Sequence, residues 1–487
     1  MKRWNVVCAI GVSALGMACN ADEITHWSGV VRQAIRVNGG APCPIARAAA
    51  MTHIAMYEAY NSIDRRFTPY IGYVDAAPGA SAEAAIAQAC HDVLVNVYPA
   101  QAGTFDAELV SRLALIPDGP SETDGIAVGS AAAAQIIAAR ANDGSTNNTP
   151  YTFGTNPGDF RIPEDIPPGT EPFSPNWGLV TPFAMTRGSQ FRRPGPGGFR
   201  NMNAFMHSRR YADNLNEVKS IGSRTSTTRT ADQTALAFFW ANDVNGTYKP
   251  PGHLLHITEE ISTAQGLTLA ENARLFGLMG LAMGDAGIVA WDMKYLTPID
   301  LWRPITGIRL ADTDGNPHTQ RDTTWLPLNS FTPPFPAWTS GHATFGAAHA
   351  AVLGEYFGTD QMTFTITSED PFYAGLFPGT PPARTFHRFS DAAWENAMSR
   401  LFLGVHWRVD AEDANISGTN LGRYIGQNFF RPACPADFNG DGHLNQLDFF
   451  AFLSALLNGD DAADFNHDGH VNVHDFFDFL RAYFEGC

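Results

Sequence analysis

An all-α bundle followed by a small duplicated module is the architecture this sequence predicts, and three observations carry it. Apolar residues recur at helical spacing through most of residues 25–430. Few segments alternate with period two. Near the C-terminus, Asp437-Phe-Asn-Gly-Asp-Gly-His-Leu-Asn-Gln-Leu-Asp448 recurs 27 residues later as Asp464-Phe-Asn-His-Asp-Gly-His-Val-Asn-Val-His-Asp475.

The first helical region is CPIARAAAMTHIAMYEAYNSI, within 25–62. Further helices are predicted near 80–97, 104–116, 123–141, 204–218, 229–241, 257–293, 343–357, 391–404 and 411–428. Residues 142–200 differ: NTPYTFGTNPGDFRIPEDIPPGTEPF and FRRPGPGGFR are dense in Pro and Gly. They read as a long structured excursion which, in an enzyme, would wall a substrate channel. A helical domain over 22–430 and a separate module over 434–487 follow from the change of composition at RPACPADFNG.

The chain has 487 residues, too many for one ordinary domain, and is 44% hydrophobic, enough for a sizeable core. Its net charge of −17 argues against a nucleic-acid footprint. Any cluster of cations in so acidic a chain therefore needs a reason.

Residues 1–21 read as a secretory leader, with Lys2 and Arg3 ahead of an apolar stretch, Val6 to Ala18, too short to span a bilayer. Cys19 is a poor lipid-attachment site behind Gly16 and Met17, so simple export outweighs an anchor. A secreted, periplasmic or cell-surface location is expected. No later stretch reads as apolar for long enough to cross a membrane. Once the leader is removed, Cys43, Cys90, Cys434 and Cys487 remain, and an even count in an oxidising compartment suggests disulfides. Cys434 and Cys487 bracket the tail and are expected to pair; that leaves Cys43 with Cys90, against the alternative of free buried thiols.

A hard cation takes several oxygen ligands around a sharp turn. Asp437, Asn439, Asp441 and Asp448 supply side-chain oxygens at loop positions 1, 3, 5 and 12. His443 offers a carbonyl, Asn445 a direct or water-mediated oxygen, and Gly442 the turn. Asp464, Asn466, Asp468, His470, Asn472 and Asp475 repeat the set around Gly469. An apolar helix, FFAFLSALL or FFDFLRAYF, follows each loop. The tail resembles a type I dockerin, in which Asp replaces the Glu of the usual EF-hand at position 12. That resemblance implies Ca2+-dependent folding and a protein partner, with a purely structural calcium staple as the alternative.

Three segments carry cationic chemistry: Trp291-Asp-Met-Lys294 with Leu301-Trp-Arg303-Pro304; Phe335-Pro-Ala-Trp-Thr-Ser340-Gly341-His342; and Ser399-Arg400-Leu-Phe-Leu-Gly-Val-His406. A tetrahedral oxyanion needs fixed positive charge and several donors, which Arg forks and Lys provide. Ser340-Gly341 opens a predicted helix, whose free N–H groups and dipole favour an anion. Six residues at 100° each put His406 about 120° away from Arg400 on an ideal helix. Both face one anion only if the helix breaks, and Gly404 is the expected breaking point.

These motifs resemble the vanadium-dependent haloperoxidases of the type 2 phosphatidic-acid phosphatase superfamily, over roughly 25–430. The opening ARAAAMTHIAMYEAYNSID is similar to the first helix of bacterial haloperoxidase-like proteins. The resemblance implies a helical bundle with vanadate or phosphate at its core. It implies that Lys294, Arg303, Ser340, Gly341 and Arg400 hold the oxyanion, and that His406 bonds covalently to vanadium or phosphorus. It makes His342 the general acid–base. It gives Asp243 as the partner of Arg400, with Asp410 as a rival. Trp291 and Phe335 fall on the halide side. Two departures stand out: eight residues separate Lys294 from Arg303 where six are usual, and Thr339 replaces a usual Pro. His53, His91, His253, His256, His349 and His387 read as surface or satisfied core groups, with His349, seven residues after His342, the candidate for supporting the site.

Three functions follow. The first is a haloperoxidase that takes hydrogen peroxide, a halide and a small organic substrate, with Lys294 polarising the peroxide. The second is a phosphomonoesterase with His406 as nucleophile and His342 protonating the leaving group. The third is a silent domain displayed through the calcium tail. The long helical N-terminal portion and the Trp291/Phe335 pair favour the first.

Overall fold

The computed structural model describes residues 22–377, 379–439, 444–466 and 469–486. The expected leader at 1–21, the loop positions Asp441, Gly442, His443 and Asp468, and Cys487 lie outside the described residues.

The described chain is mostly helical. It begins with α1 (Glu23–Asn38), α2 (Pro42–Asp64), α3 (Ala82–Val97), α4 (Ala102–Leu113) and α5 (Pro120–Arg140). After the irregular excursion come α6 (Met202–Met206), α7 (Arg209–Ile221), α8 (Ala231–Phe239), α9 (Lys249–Gln265), α10 (Leu269–Tyr295) and α11 (Pro304–Arg309). The site-bearing half holds α12 (Gly341–Phe357), β1 (Gln361–Ile366), α13 (Pro371–Gly375), β2 (Arg384–Arg388), α14 (Phe389–Phe402) and α15 (Arg408–Asn428). The tail adds α16 (Gln446–Asn458) and α17 (Val473–Glu485).

Two elements depart from the sequence reading. The run expected over 257–293 is two helices, because Gly266 closes α9 in the left-handed region (φ +64°) and Thr268 with Glu271 forms a capping box that starts α10. In addition, β1 and β2 pair as an antiparallel ribbon with Phe364 opposite Phe386. QMTFTI does alternate, but one short strand is outweighed by the helical periodicity around it.

Helix α10 is long and apolar enough, by length and composition, to cross a membrane, which the sequence reading did not anticipate. Its most apolar window is 94% buried inside the protein. A helix that is apolar all round is expected at the centre of a large bundle, so α10 is the core helix. It lies against α2, and α12 lies against α15. That second pair is very close: a Cβ on Gly418 would lie 2.4 Å from the Thr344 carbonyl, and one on Gly422 2.3 Å from that of Ala348. These two glycines fix the depth of α12, and with it the position of its N-terminus. Trp27, Trp291, Trp302, Trp338 and Trp407 are fully buried around this frame. A large side chain of this kind contributes roughly 1.5–3 kcal/mol on burial.

The Pro/Gly excursion is tied down by buried charge. Asp285 of α10 accepts the backbone N–H groups of Phe183, Ala184 and Met185 at 2.6, 2.8 and 2.7 Å. Arg192 forks onto Asp292 at 2.6 and 2.7 Å.

Cys43 and Cys90 are free buried thiols, so the expected bridge between them is not formed. Cys43 faces the Gly287 carbonyl of α10 (4.0 Å), while Cys90 sits on α3 within the electrostatic reach of Glu23. Cys434 is disulfide-bonded; its expected partner, Cys487, lies outside the described residues.

The tail has its own small core of Ala436, Phe452, Ala463 and Phe479. Phe452 and Phe479, equivalent in the 27-residue repeat, stack with centroids 4.1 Å apart and planes 3° from parallel. Asp448 accepts from the N–H groups of Asn439 (3.2 Å) and Asn445 (2.8 Å), and Asp475 from those of Asn466 (3.2 Å) and Asn472 (2.8 Å). Among the described residues no three His, Cys, Asp or Glu side chains form a group that could hold a metal ion.

Candidate active site

Helix α12 starts at a buried point, and Ser340 is its N-cap. The Ser340 Oγ accepts the Ala343 N–H at 3.4 Å, and its own N–H donates to the Asp410 carbonyl at 3.1 Å. The opening N–H groups of a helix have no partner inside it. Those of Gly341 and His342 are thus oriented for an anion, and a Cβ on Gly341 would come within 3.3 Å of the Trp291 ring.

Around this N-terminus the three sequence segments converge. Arg303, just ahead of α11, donates from Nε to the Phe335 carbonyl (2.7 Å) and from Nη1 to the Val405 carbonyl (2.6 Å) and to His406 Nε2 (3.0 Å). Lys294, in the last turn of α10, donates to the carbonyls of Pro336 (2.7 Å) and Ala337 (3.3 Å). Both cations lie over the Phe335 ring, at 4.8 and 4.6 Å from its centroid. The eight-residue spacing between Lys294 and Arg303 does not keep them apart. Arg400 of α14 donates from Nη2 to Asp243 at 2.7 Å.

The chain does break where the helical geometry requires. Helix α14 ends at Phe402, Gly404 takes a left-handed φ of +77°, and the Val405 N–H returns to the Arg400 carbonyl at 3.1 Å. His406 therefore lines the same cavity as Arg400. Its Nδ1–H donates to Asp410 at 3.0 Å, which fixes the tautomer and leaves the Nε2 lone pair on the Arg303 side. The rivalry between the two carboxylates is resolved by geometry: Asp243 serves Arg400, and Asp410 orients His406. His342, on the first turn of α12, bonds the Ala241 carbonyl (3.1 Å) and lies 3.8 Å from Asp243.

Burial and like charge dominate the electrostatics. Lys294 and His406 are pushed well below their ordinary values by burial and then by Arg303. Burial lowers Arg303 to about 9 and raises Asp410 to about 7. His342 drops to about 4, first through burial and then through Arg400. Burial alone would push Asp243 up, but Arg400 and His342 hold it below the usual carboxylate value. A bound anion would relieve the repulsion among these cations. The donor set fits one: Arg303 Nη2 and Arg400 Nε and Nη1 are buried and have no hydrogen-bond partner. Buried donors are normally satisfied, so three orphans beside a helix N-terminus describe an oxyanion cradle.

The cavity over the cradle has a volume of about 390 Å³. Trp291 and Phe335 lie on its floor with centroids 5.0 Å apart. Phe173, from the excursion, joins its wall and accepts a hydrogen bond from Trp291 Nε1 at 3.0 Å through its carbonyl. The excursion does wall the pocket. Lys249 and Asn245 also line it, and the sequence reading missed both; the signal available was a Lys in NGTYKPPG, directly ahead of two prolines. His349 does not support the site: it bonds Thr258 Oγ1 at 2.9 Å and is absent from the cavity wall. His253 and His53 lie in the core, His253 on the Thr367 carbonyl (3.0 Å) and His53 on the Ala49 carbonyl (2.7 Å), with His53 Nε2 left unpartnered.

A buried helix N-terminus, two arginines with orphaned donors, a lysine and a histidine oriented by Asp410 thus gather inside a helical bundle in an arrangement that fits an oxyanion. Residues 274–433 match the VCPO second helical-bundle domain. The vanadium chloroperoxidase of Curvularia inaequalis is 30% identical over a 292-residue alignment covering 50% of this chain and 46% of that protein. The chain thus spans about half the length of the curated relative it matches. A solved bacterial vanadium-dependent iodoperoxidase superposes with a TM-score of 0.70 at 23% identity, over 84% of this chain and 97% of that one. A holo bacterial vanadium-dependent chloroperoxidase gives 0.64 at 17% identity, with the same coverage. By these matches the chain shares the helical fold of those solved proteins and is similar in sequence to the vanadium chloroperoxidase over part of its length.

Proposed function

We propose that the protein is a vanadium-dependent haloperoxidase that uses hydrogen peroxide to oxidise a halide to hypohalous acid. The observation that carries this reading is the set of orphaned buried donors on Arg303 and Arg400, facing the Nε2 side of a histidine whose other nitrogen is tied to Asp410.

Lys294, Arg303, Ser340, Gly341 and Arg400 would hold vanadate, and His406 Nε2 would bond to it. When bound, vanadate supplies Lewis-acid activation of peroxide. The protein's own residues do the rest. Asp410 keeps His406 in the tautomer whose Nε2 carries no proton. Lys294 presents positive charge to the peroxide oxygens, and Asp243 holds Arg400 in place. His342, neutral at ordinary pH, takes a proton from incoming peroxide and returns one to the leaving oxygen. Trp291 and Phe335 offer the halide a dry face. Overall, peroxide, halide and one proton give hypohalous acid and water.

The second reading, a phosphomonoesterase with His406 as nucleophile, uses the same cradle, so the two are tested together. Purified protein is assayed with peroxide and bromide, with and without vanadate, beside a phosphomonoester. Bromide-dependent peroxide consumption that appears on adding vanadate supports the first. Phosphomonoester turnover alone supports the second, and neither activity would support the third, a silent domain displayed by its tail.

The tail is read as a Ca2+-binding, dockerin-like module, and residues 1–21 as an export leader. The support is the duplicated Asp/Asn loop pattern and the leader composition. A calorimetric Ca2+ titration of the full chain that shows no uptake would end the calcium reading.

A further inference from the structure

The cavity over the cradle is larger than an oxyanion and a halide need. Its volume of about 390 Å³ falls within the ~300–1,000 Å³ of small-molecule sites. Its outer walls are of two kinds. Phe173, Phe331, Pro333 and Pro334 supply apolar lining, and Asn245 and Lys249 supply polar lining along with Asp243.

Lys249 is 6% exposed, and its Nζ donates to the Asp243 carbonyl at 2.5 Å. An ammonium has three donors. The Asp243 carboxylate is engaged elsewhere, with Arg400 at 2.7 Å and His342 at 3.8 Å. Among the described residues Lys249 makes no ion pair; its one countercharge is the Asp243 carboxylate, which acts on it from beyond ion-pair distance and is shared with Arg400 and His342, so a buried cation lines the cavity without a carboxylate of its own. Buried charges are normally paired. Its backbone is also held at φ +58°, a left-handed conformation costly for a side chain of this length, and Pro250 and Pro251 follow it. Strain of this kind persists where the surrounding structure enforces it, and it gathers at ligand sites.

We propose that Lys249 is the specificity-determining residue for the organic substrate: it binds the anionic group of an aromatic acid whose ring lies against the Phe173/Phe331/Pro333/Pro334 lining. This rests on the haloperoxidase reading. Held there, the ring exchanges C–H for C–Br as the Br–O bond of hypobromous acid breaks, and the oxygen leaves as water with the ring proton.

The test compares 4-hydroxybenzoate with phenol as bromination substrates for the vanadate-loaded wild type, Lys249→Gln and Lys249→Arg. Wild type should show the lower KM for the acid. Lys249→Gln should raise that KM about tenfold or more relative to any change for phenol, the scale of one lost charge-assisted hydrogen bond, and Lys249→Arg should restore most of it. A calorimetric titration of phosphate-filled protein with 4-hydroxybenzoate should show the same loss of affinity. Equal changes for the two phenols would overturn the proposal, as would a wild type that does not favour the acid. A shift confined to the KM for bromide would make Lys249 a halide group instead and would also overturn it. If Lys249→Gln fails to fold, wild type and Lys249→Arg still decide through the acid-over-phenol preference. Failure of the underlying reading is distinct: wild type would consume no peroxide with bromide, while the titration would still report on Lys249.

Discussion

At the N-terminus of α12 three buried cations, Lys294, Arg303 and Arg400, outnumber the buried Asp410 carboxylate, and Arg303 Nη2 with Arg400 Nε and Nη1 have no protein partner. In the tail the buried charges are the carboxylates of Asp448 and Asp475, and each oxygen takes a backbone N–H from its own loop. The first region is shaped around something the protein must acquire. In the second, these two carboxylates already cap their own loops, one N–H on each oxygen. A cluster of like charge is therefore informative about a ligand when its hydrogen bonds are left over.

The sharpest way to break this contrast is to remove one cation from the cradle. Arg400→Ala deletes two orphaned donors and leaves Asp243 without its guanidinium. Each charge-assisted hydrogen bond lost to the anion is worth about 1.5–3 kcal/mol, so phosphate or vanadate affinity should fall by about 100-fold or more in a calorimetric titration. An unchanged affinity would mean that the orphaned donors do not face the anion.

Next in size is His342→Ala, which spares the cradle. Oxyanion binding should stay within a few-fold while turnover falls by roughly 10²–10⁴, the usual contribution of a general acid–base. Loss of both together would merge the two roles.

Acid should separate the bundle from the tail. Burial lowers His53 to about 4, His253 to about 3 and His349 to about 4, and none of the three lines the cavity. Their folded values lie below the unfolded 6.5, so the unfolded chain binds more protons between those limits. Their stabilisation is present above pH 6.5 and is lost as pH falls towards 4, on the order of 3 kcal/mol for each at the bottom of that window. The tail core of Ala436, Phe452, Ala463 and Phe479 holds no such group. Asp475, held low by its backbone N–H partners against the opposing effect of burial, loses its contribution only as pH falls from the ordinary carboxylate value through its own lower one. Thermal melts from pH 7 to 4 should show the bundle transition falling first; a tail that melts first would contradict this.

The smallest effect is expected from the tail itself. A chain ending near Pro432 forfeits the Ala433 N–H bond to the Arg66 carbonyl (2.7 Å) but keeps that from Thr68 to Arg431 (2.9 Å). Its activity should stay within about twofold of the full chain, since one neutral hydrogen bond is worth about 1 kcal/mol. A larger loss would show that the two regions share a function.

Much of the site was legible because its chemistry is tied to residue type and spacing. The 120° offset between Arg400 and His406 forces a break, and Gly404 supplies it. Ser340-Gly341 announces a helix start, and the structure has one there. Asp410 was read only as a rival for Arg400, because spacing does not say which carboxylate reaches which cation; the turn after Gly404 decides it. Phe173 reaches the cavity from a loop and Lys249 from the very first residue of α9, where no periodicity marks it, so tertiary packing alone puts them there. The β1–β2 ribbon was missed because its strands are short. The Cys43–Cys90 bridge was expected from an even count, which says nothing about which helix faces the two thiols point to.

The central claim is that this bundle holds vanadate on His406 and uses it to oxidise halide. The most direct measurement is bromide-dependent peroxide consumption by vanadate-free protein as vanadate is added, followed by phosphate. Activity should rise from baseline with vanadate, saturate at one equivalent per chain and be competed away by phosphate, while His406→Ala stays at baseline throughout. Wild-type activity that is indifferent to vanadate and phosphate would contradict the account.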